Sequence, residues 1–203
     1  MPAMRTALMA AAALSLGACA SIPAPGPVEV TRFVDETRTA QLGQGTIFID
    51  SRPMAGMSEL AAAPYKAAVA RELEALGYRE TSRAEAGQIA EISVERFDYD
   101  RAEGRRGPVS VGVGGSTGSY GSGVGLGIGI NLGGGRGREI GTELAVAIKP
   151  VGSQTNLWEG RAQFVVSEKS DLARQDANAQ TVADALFQNF PGRSGETIEV
   201  EVD

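Results

Sequence analysis

Residues 139–167 read EIGTELAVAIKPVGSQTNLWEGRAQFVVS, and their pattern decides the fold. Ile140, Leu144, Val146 and Ile148 fall on one face of a segment from Glu139 to Lys149, as in a half-buried strand, and Pro150 ends it. Thr155-Asn156 makes a turn, and Leu157 to Ser167 returns as the hairpin partner. Downstream, Asp171 to Asn189 reads as a helix. Val182, Leu186 and Phe190 form one stripe with Ala179, Ala183 and Phe187 beside it, and Pro191-Gly192 is the stop. Glu196 to Val202 alternates Ile198, Val200 and Val202 with Glu199 and Glu201, a last strand with one wet face.

Upstream the same reading gives strands at Val28–Val34, Thr46–Asp50 and Ile89–Tyr99, the last with a bulge as an option. Between the second and third lies a helix on which Tyr65, Val69, Leu73 and Leu76 recur at spacings of four, four and three. Pro64 suits a first-turn position, which places the firm part of the helix from there, with a kinked start near Ser58 as the alternative. Gly77 fits its C-terminal stop. The expected fold is α+β: a mainly antiparallel sheet with two helices packed on one face, plus a glycine-rich β-hairpin excursion.

That excursion spans residues 107–137, which hold 14 of the 27 glycines. Gly123, Gly125, Gly127 and Gly129 alternate with Val124, Leu126, Ile128 and Ile130, so a strand here has one apolar face and one bare face. Glycine in a strand costs about 0.5–1 kcal/mol relative to alanine, so four together are unfavourable by roughly 2–4 kcal/mol. Such a stretch is either a weakly ordered excursion or a surface that another backbone approaches closely. These four glycines are therefore the candidate partner-docking residues, with the lone tryptophan, Trp158, beside them. Packing between sheet and helix is the default role of so large a side chain.

The N-terminus reads as a secretion signal. Arg5 supplies the positive charge and Thr6 to Leu16 the apolar stretch, too short for the roughly 20 residues of a spanning helix. Leu16-Gly17-Ala18-Cys19 follows, resembling the lipobox of bacterial lipoproteins, in which the cysteine is acylated and becomes the first mature residue. The chain's single cysteine falls at this one place. Ala20 and Ser21 bring no acidic residue that would favour inner-membrane retention, so the expected location is the outer membrane, facing the periplasm. The domain plan is a signal peptide at 1–18, a lipidated Cys19 with a proline-rich tether to residue 27, and one domain over 28–203. Eight tether residues at about 3.1 Å each reach roughly 25 Å.

Composition excludes much chemistry. The 203 residues suit a single domain, and 25 acidic side chains against 19 basic give a net charge of −6, or −7 once Arg5 is removed with the signal. An acidic chain with three mature lysines is poorly suited to nucleic acid or to lying on anionic lipid. With no histidine and one cysteine, His-based triads, His-ligated metals and internal disulfides drop out. Gly114 to Gly118 matches the G-x-S-x-G elbow around Ser116, but no imidazole is present to activate the hydroxyl. A Ser–Lys dyad through Lys66, Lys149 or Lys169 has no supporting spacing. Asp98, Asp100 and Glu103 lack the further oxygen ligands of an EF-hand loop, and Arg101, Arg105 and Arg106 suit a solvated loop better than a phosphate site. The sequence calls for no cofactor, no metal and no catalytic residue.

With these residues in view, the mature chain resembles the lipoproteins grouped as domain-of-unknown-function family 4136. The likeness rests on the helix ending Leu73, Leu76, Gly77-Tyr78, on the strand Glu143 to Ile148, and on the terminal helix through Val182, Leu186 and Phe190-Pro191. Its most distinctive piece is the return Leu157-Trp158-Glu159-Gly160-Arg161-Ala162. The resemblance implies a small α+β domain on a lipid anchor and brings no assigned activity. The expected function is a non-enzymatic envelope binding or assembly protein, with an envelope protein or a second copy as partner. The alternatives are an envelope hydrolase using Ser116 or carboxylates, and a structural oligomer, even a barrel, built from the glycine-rich hairpin.

Overall fold

The computed structural model describes residues 24–51, 58–99 and 138–202. Seven strands form one open sheet: β1 (Val28–Val34), β2 (Gly45–Ser51), β3 (Tyr78–Glu80), β4 (Gln88–Tyr99), β5 (Glu139–Pro150), β6 (Trp158–Ser167) and β7 (Glu196–Val200). Two helices, α1 (Glu59–Ala75) and α2 (Gln175–Phe187), share one apolar core with it. The strand order is β3-β2-β4-β5-β6-β1-β7.

The expected α+β class with two helices holds, but the sheet is mixed rather than mainly antiparallel. β2 runs parallel to both its neighbours, β3 and β4, while the other four pairings are antiparallel. The cause is α1. A 17-residue helix carries the chain back along the sheet, so the strand after it enters in the direction of β2, as a crossover requires. That strand, β3, is three residues long with only Tyr78 buried, too short to register as a periodic pattern. β4 and β5 pair through twelve unbroken positions, from Gln88↔Pro150 to Tyr99↔Glu139, leaving no bulge between them.

The first helix starts at the alternative the sequence offered, near Ser58, and the second differs from expectation at its start. α1 begins at Glu59, with Ser58 capping it by accepting from Ala61 N at 3.3 Å, and Pro64 lies inside. Pro64 removes the donor that the Leu60 carbonyl would use, and Leu60 is exposed, so water can serve that carbonyl instead. At the other end Gly77 adopts φ +106°, and a methyl there would lie 2.6 Å from the Gly43 carbonyl oxygen, so only glycine fits. The second helix is divided. Ser170 caps a 3-10 turn at Asp171–Ala173, and Arg174 turns extended (ψ 141°) before α2 starts. Residues 188 and 189, expected as its last turn, lie beyond it.

Strand alternation separates the faces. Val28, Val30, Ile92, Val94, Leu144, Val146 and Phe164 point to the helices and are buried. The opposite face is polar: Lys149 pairs with Glu91 at 2.8 Å, Arg161 with Glu143 at 3.2 Å, and Gln163 donates to Glu143 at 3.1 Å. Phe97 lies across Gly141, its register partner, where a side chain would collide with the ring. The glycine-rich segment and its expected hairpin, the signal peptide and Cys19 fall outside the described residues.

Candidate functional site

Of the expected docking residues, Gly123, Gly125, Gly127 and Gly129 lie outside the described residues, as do Cys19 and Ser116. Trp158 is fully buried. It opens β6 on the helix side, with Phe187 stacked at 5.3 Å and Phe190 tilted at 5.2 Å between ring centroids. Its indole N–H donates to the Pro191 carbonyl at 2.9 Å, satisfying the one polar atom of the ring. Gly160, two residues on and on the same face, leaves the space the indole occupies. A docking role for this ring would require the cluster to open.

Arg32 stands beside this cluster on β1, at an inward position where its neighbours are valines. Its Nε donates to the Leu186 carbonyl and its Nη2 to the Ala185 carbonyl, both at 3.1 Å. These carbonyls belong to the last turn of α2, which has no donor of its own to give them. Burial pulls the Arg32 guanidinium below its usual range while the Glu196 charge pushes it back up. An arginine so placed stays charged and matches the negative end of the helix.

The glycine-rich segment departs from the opposite end of the sheet, where Tyr99 pairs with Glu139. Immediately beneath lies a second buried polar group. Arg96 and Thr142 are directly paired across β4 and β5, and both take inward positions. Arg96 Nη2 donates to the Ala173 carbonyl at 2.7 Å. The Tyr65 hydroxyl donates to Asn178 Oδ1 at 2.8 Å, and Asn178 Nδ2 donates to the Leu172 carbonyl at 3.2 Å. Burial pushes the Tyr65 phenol up, while the Arg96 charge and the neighbouring Thr142 hydroxyl pull it the other way. Arg96 Nε is buried without a hydrogen-bond partner, and the buried Thr142 Oγ1 has the Tyr65 hydroxyl as its neighbour. The group joins β4, β5, α1, α2 and the 3-10 turn at one point. Sequence reading missed it. The usable signal was Arg96 following Ile92 and Val94, and Thr142 between Ile140 and Leu144, each a polar residue on an apolar stripe.

The remaining chemical candidates are scattered. Lys149 is tied to Glu91 on the polar face, and Lys66 sits over the Phe48 ring at 6.0 Å, beside the sheet's other end. Asp98 is exposed on β4, and Asp100 and Glu103 lie outside the described residues. One carboxyl pair does meet: Glu72 on α1 hydrogen-bonds Asp184 on α2, near the Arg71–Gln180 contact. Burial first, then that bond and the Asp184 charge, raise the Glu72 carboxyl to about 7, with Arg71 opposing. Among the described residues no three His, Cys, Asp or Glu side chains gather as metal ligands would. No described helix is long and apolar enough to cross a membrane, which says nothing of strands. The arrangement holds elements together; its groups are not set out around a reacting atom.

The family model described as "Domain of unknown function (DUF4136)" matches residues 32–192. No curated protein matches the chain. Among solved structures, the PelC dodecamer from Paraburkholderia phytofirmans is 11% identical, with a TM-score of 0.46 over 82% of this chain and 99% of that one. A PDZ domain protein from Parabacteroides distasonis is 12% identical, with a TM-score of 0.46 over 86% of this chain and 39% of that one.

Proposed function

We propose, on the premise that this chain belongs to the DUF4136 family, a domain of unknown function, that it is a lipid-anchored outer-membrane protein facing the periplasm. In this reading it binds or helps assemble another envelope component and catalyses no reaction. Anchoring rests on the sole cysteine standing directly after Leu16-Gly17-Ala18. Several acyl chains, each contributing about 0.8 kcal/mol per buried CH₂, hold a protein on a bilayer where one chain does so marginally. The absence of histidine argues against the hydrolase, since Ser116 has no imidazole to take its proton.

The observation that carries the binding role is the twelve-position β4–β5 ladder. It brings both ends of residues 100–138 to the Tyr99–Glu139 pair, above the polar group that fastens the two strands to the helices. A glycine-rich segment mounted so firmly is suited to docking. In-cell crosslinking of the tagged protein, beside a variant lacking residues 109–135, tests this. A defined envelope protein captured only by the full chain is the expected result. Equal capture by both forms overturns the docking role.

A further inference from the structure

We infer that the outer edge of β7 takes up an extended, basic segment of another protein as an eighth strand, its lysine or arginine side chains set against Glu199 and Glu29. This adds a second surface to the binding role proposed above. It depends on neither the glycine-rich segment nor the Cys19 anchor, so each can fail without the other. β7 ends the sheet, and among the described residues no strand lies beyond it. Register shows which backbone groups that edge presents. Asp35 N donates to the Leu157 carbonyl at 2.9 Å, so Glu29, Thr31 and Phe33 turn their backbone groups toward β6. Val28, Val30 and Arg32 then face β7, where Gly195 N donates to the Arg32 carbonyl at 2.7 Å. Their partners Val200, Ile198 and Glu196 answer them, and the N–H and C=O groups of Thr197 and Glu199 point away from the sheet. Such a row is a template for a further strand.

Charge decides what kind of strand fits. Glu29 and Glu199 stand directly opposite each other across β1 and β7, on the polar face. Like charges so paired destabilise a sheet. Burial first, then the Glu199 charge, push the Glu29 carboxyl up, with no cation acting the other way. Arg161 and Lys149, the basic side chains that β6 and β5 carry on this face, are engaged with Glu143 and Glu91. A charge on an edge strand repels stray partners, which accounts for Glu199. It does not account for Glu29, which lies one strand further in and is half-buried. A lysine or arginine arriving on an added strand supplies the missing counter-charge.

The helix side of β7 sets the alternation. Ile198 and Val200 pack against the core there but are only partly covered. An added strand lays apolar side chains beside them while its basic ones face Glu199, so the occupant alternates apolar and basic residues. A second copy of β7 does not meet this need. Residues 196–201 hold three glutamates and no basic residue, so two copies side by side would add carboxylates to carboxylates.

The probe is a synthetic heptapeptide of alternating lysine and valine, added to the full-length protein in non-ionic detergent while amide hydrogen exchange is followed residue by residue. In the protein alone the Thr197 and Glu199 amides should exchange freely, and with the peptide they should slow by about tenfold or more. Glu199→Lys, at an exposed position, should weaken binding about fivefold. The same peptide with glutamate in place of lysine, or N-methylated throughout, should protect neither amide. Equal protection by either control peptide, an affinity unchanged by Glu199→Lys, binding that leaves both amides unprotected, or no binding overturns the inference. So do amides already protected without peptide, since the edge would then be occupied by a second copy or by the chain itself.

Discussion

Gly160→Ala tests whether the Trp158 cluster is as tight as its distances imply. A methyl at this position would lie 2.3 Å from Cη2 and 2.7 Å from Cζ2 of Trp158, and 2.8 Å from Cδ1 of Leu186. Both neighbours are fully buried and have no open space to swing into. Overpacking of this kind costs about 1–3 kcal/mol, against which alanine in place of glycine within a strand returns about 0.5–1 kcal/mol. The net expectation is a loss of about 1–2 kcal/mol. With a urea slope of about 2 kcal/mol per molar, the unfolding midpoint falls by roughly 0.5–1 M. Trp158 is the chain's single tryptophan, so its emission reports the loss of this cluster directly. A Trp158→Phe background removes the two closest atoms, and there Gly160→Ala should lose more than half its cost by circular dichroism. A midpoint unchanged or raised by Gly160→Ala, or a cost that persists with Trp158→Phe, would refute the packing argument.

The polar group beneath Tyr99 and Glu139 gives a contrasting pair. Tyr65→Phe leaves Asn178 Oδ1 without its donor and should lose about 1–2 kcal/mol, whereas Thr142→Val removes a hydroxyl whose one polar neighbour is the Tyr65 oxygen and should change stability by less than about 1 kcal/mol. A clear loss from Thr142→Val in the same urea series would show that the hydroxyl has a partner. Glu72 sets a pH dependence. Its folded carboxyl titrates near about 7 against 4.5 for the unfolded group, so the folded state holds the extra proton between these values and stability falls as pH rises through that window. Glu72→Gln should flatten this limb by about 1 kcal/mol after solvent screening of an accessible seam, read from unfolding midpoints at pH 4 and pH 8. Cys19→Ser should move the protein from the membrane to the soluble fraction. Continued sedimentation with membranes would count against acylation at this residue.

Legibility in the sequence tracks how local each cause is. β1, β5 and β6 were readable because every second side chain is buried, and that alternation is written into consecutive residues. For α1 the sequence offered two starts, Pro64 and Ser58; the Ser58 cap decides for the second, and the exposure of Leu60 lets the helix tolerate Pro64 inside it. The break before α2 depends on Ser170 and on Asn178 holding the Leu172 carbonyl, contacts that no helical stripe records. The parallel pairing of β2 was hidden for a different reason. Its direction follows from where α1 returns the chain, and β3 is too short to announce itself. At the site, Arg96 and Thr142 were visible as single irregularities. Their meeting with Tyr65 and Asn178 required four elements to be placed in space.

The two inward arginines act on the same helix. Arg32, from β1, holds the Ala185 and Leu186 carbonyls at the end of α2, and Arg96, from β4, holds the Ala173 carbonyl just before its start. β1 and β4 are not neighbours; β5 and β6 lie between them. α2 is thus fastened across four strands by charged donors to backbone acceptors, bonds stronger and more directional than apolar contact. Close apolar packing already resists a shift of the helix along the sheet. Carbonyls fixed at both ends do not permit that shift.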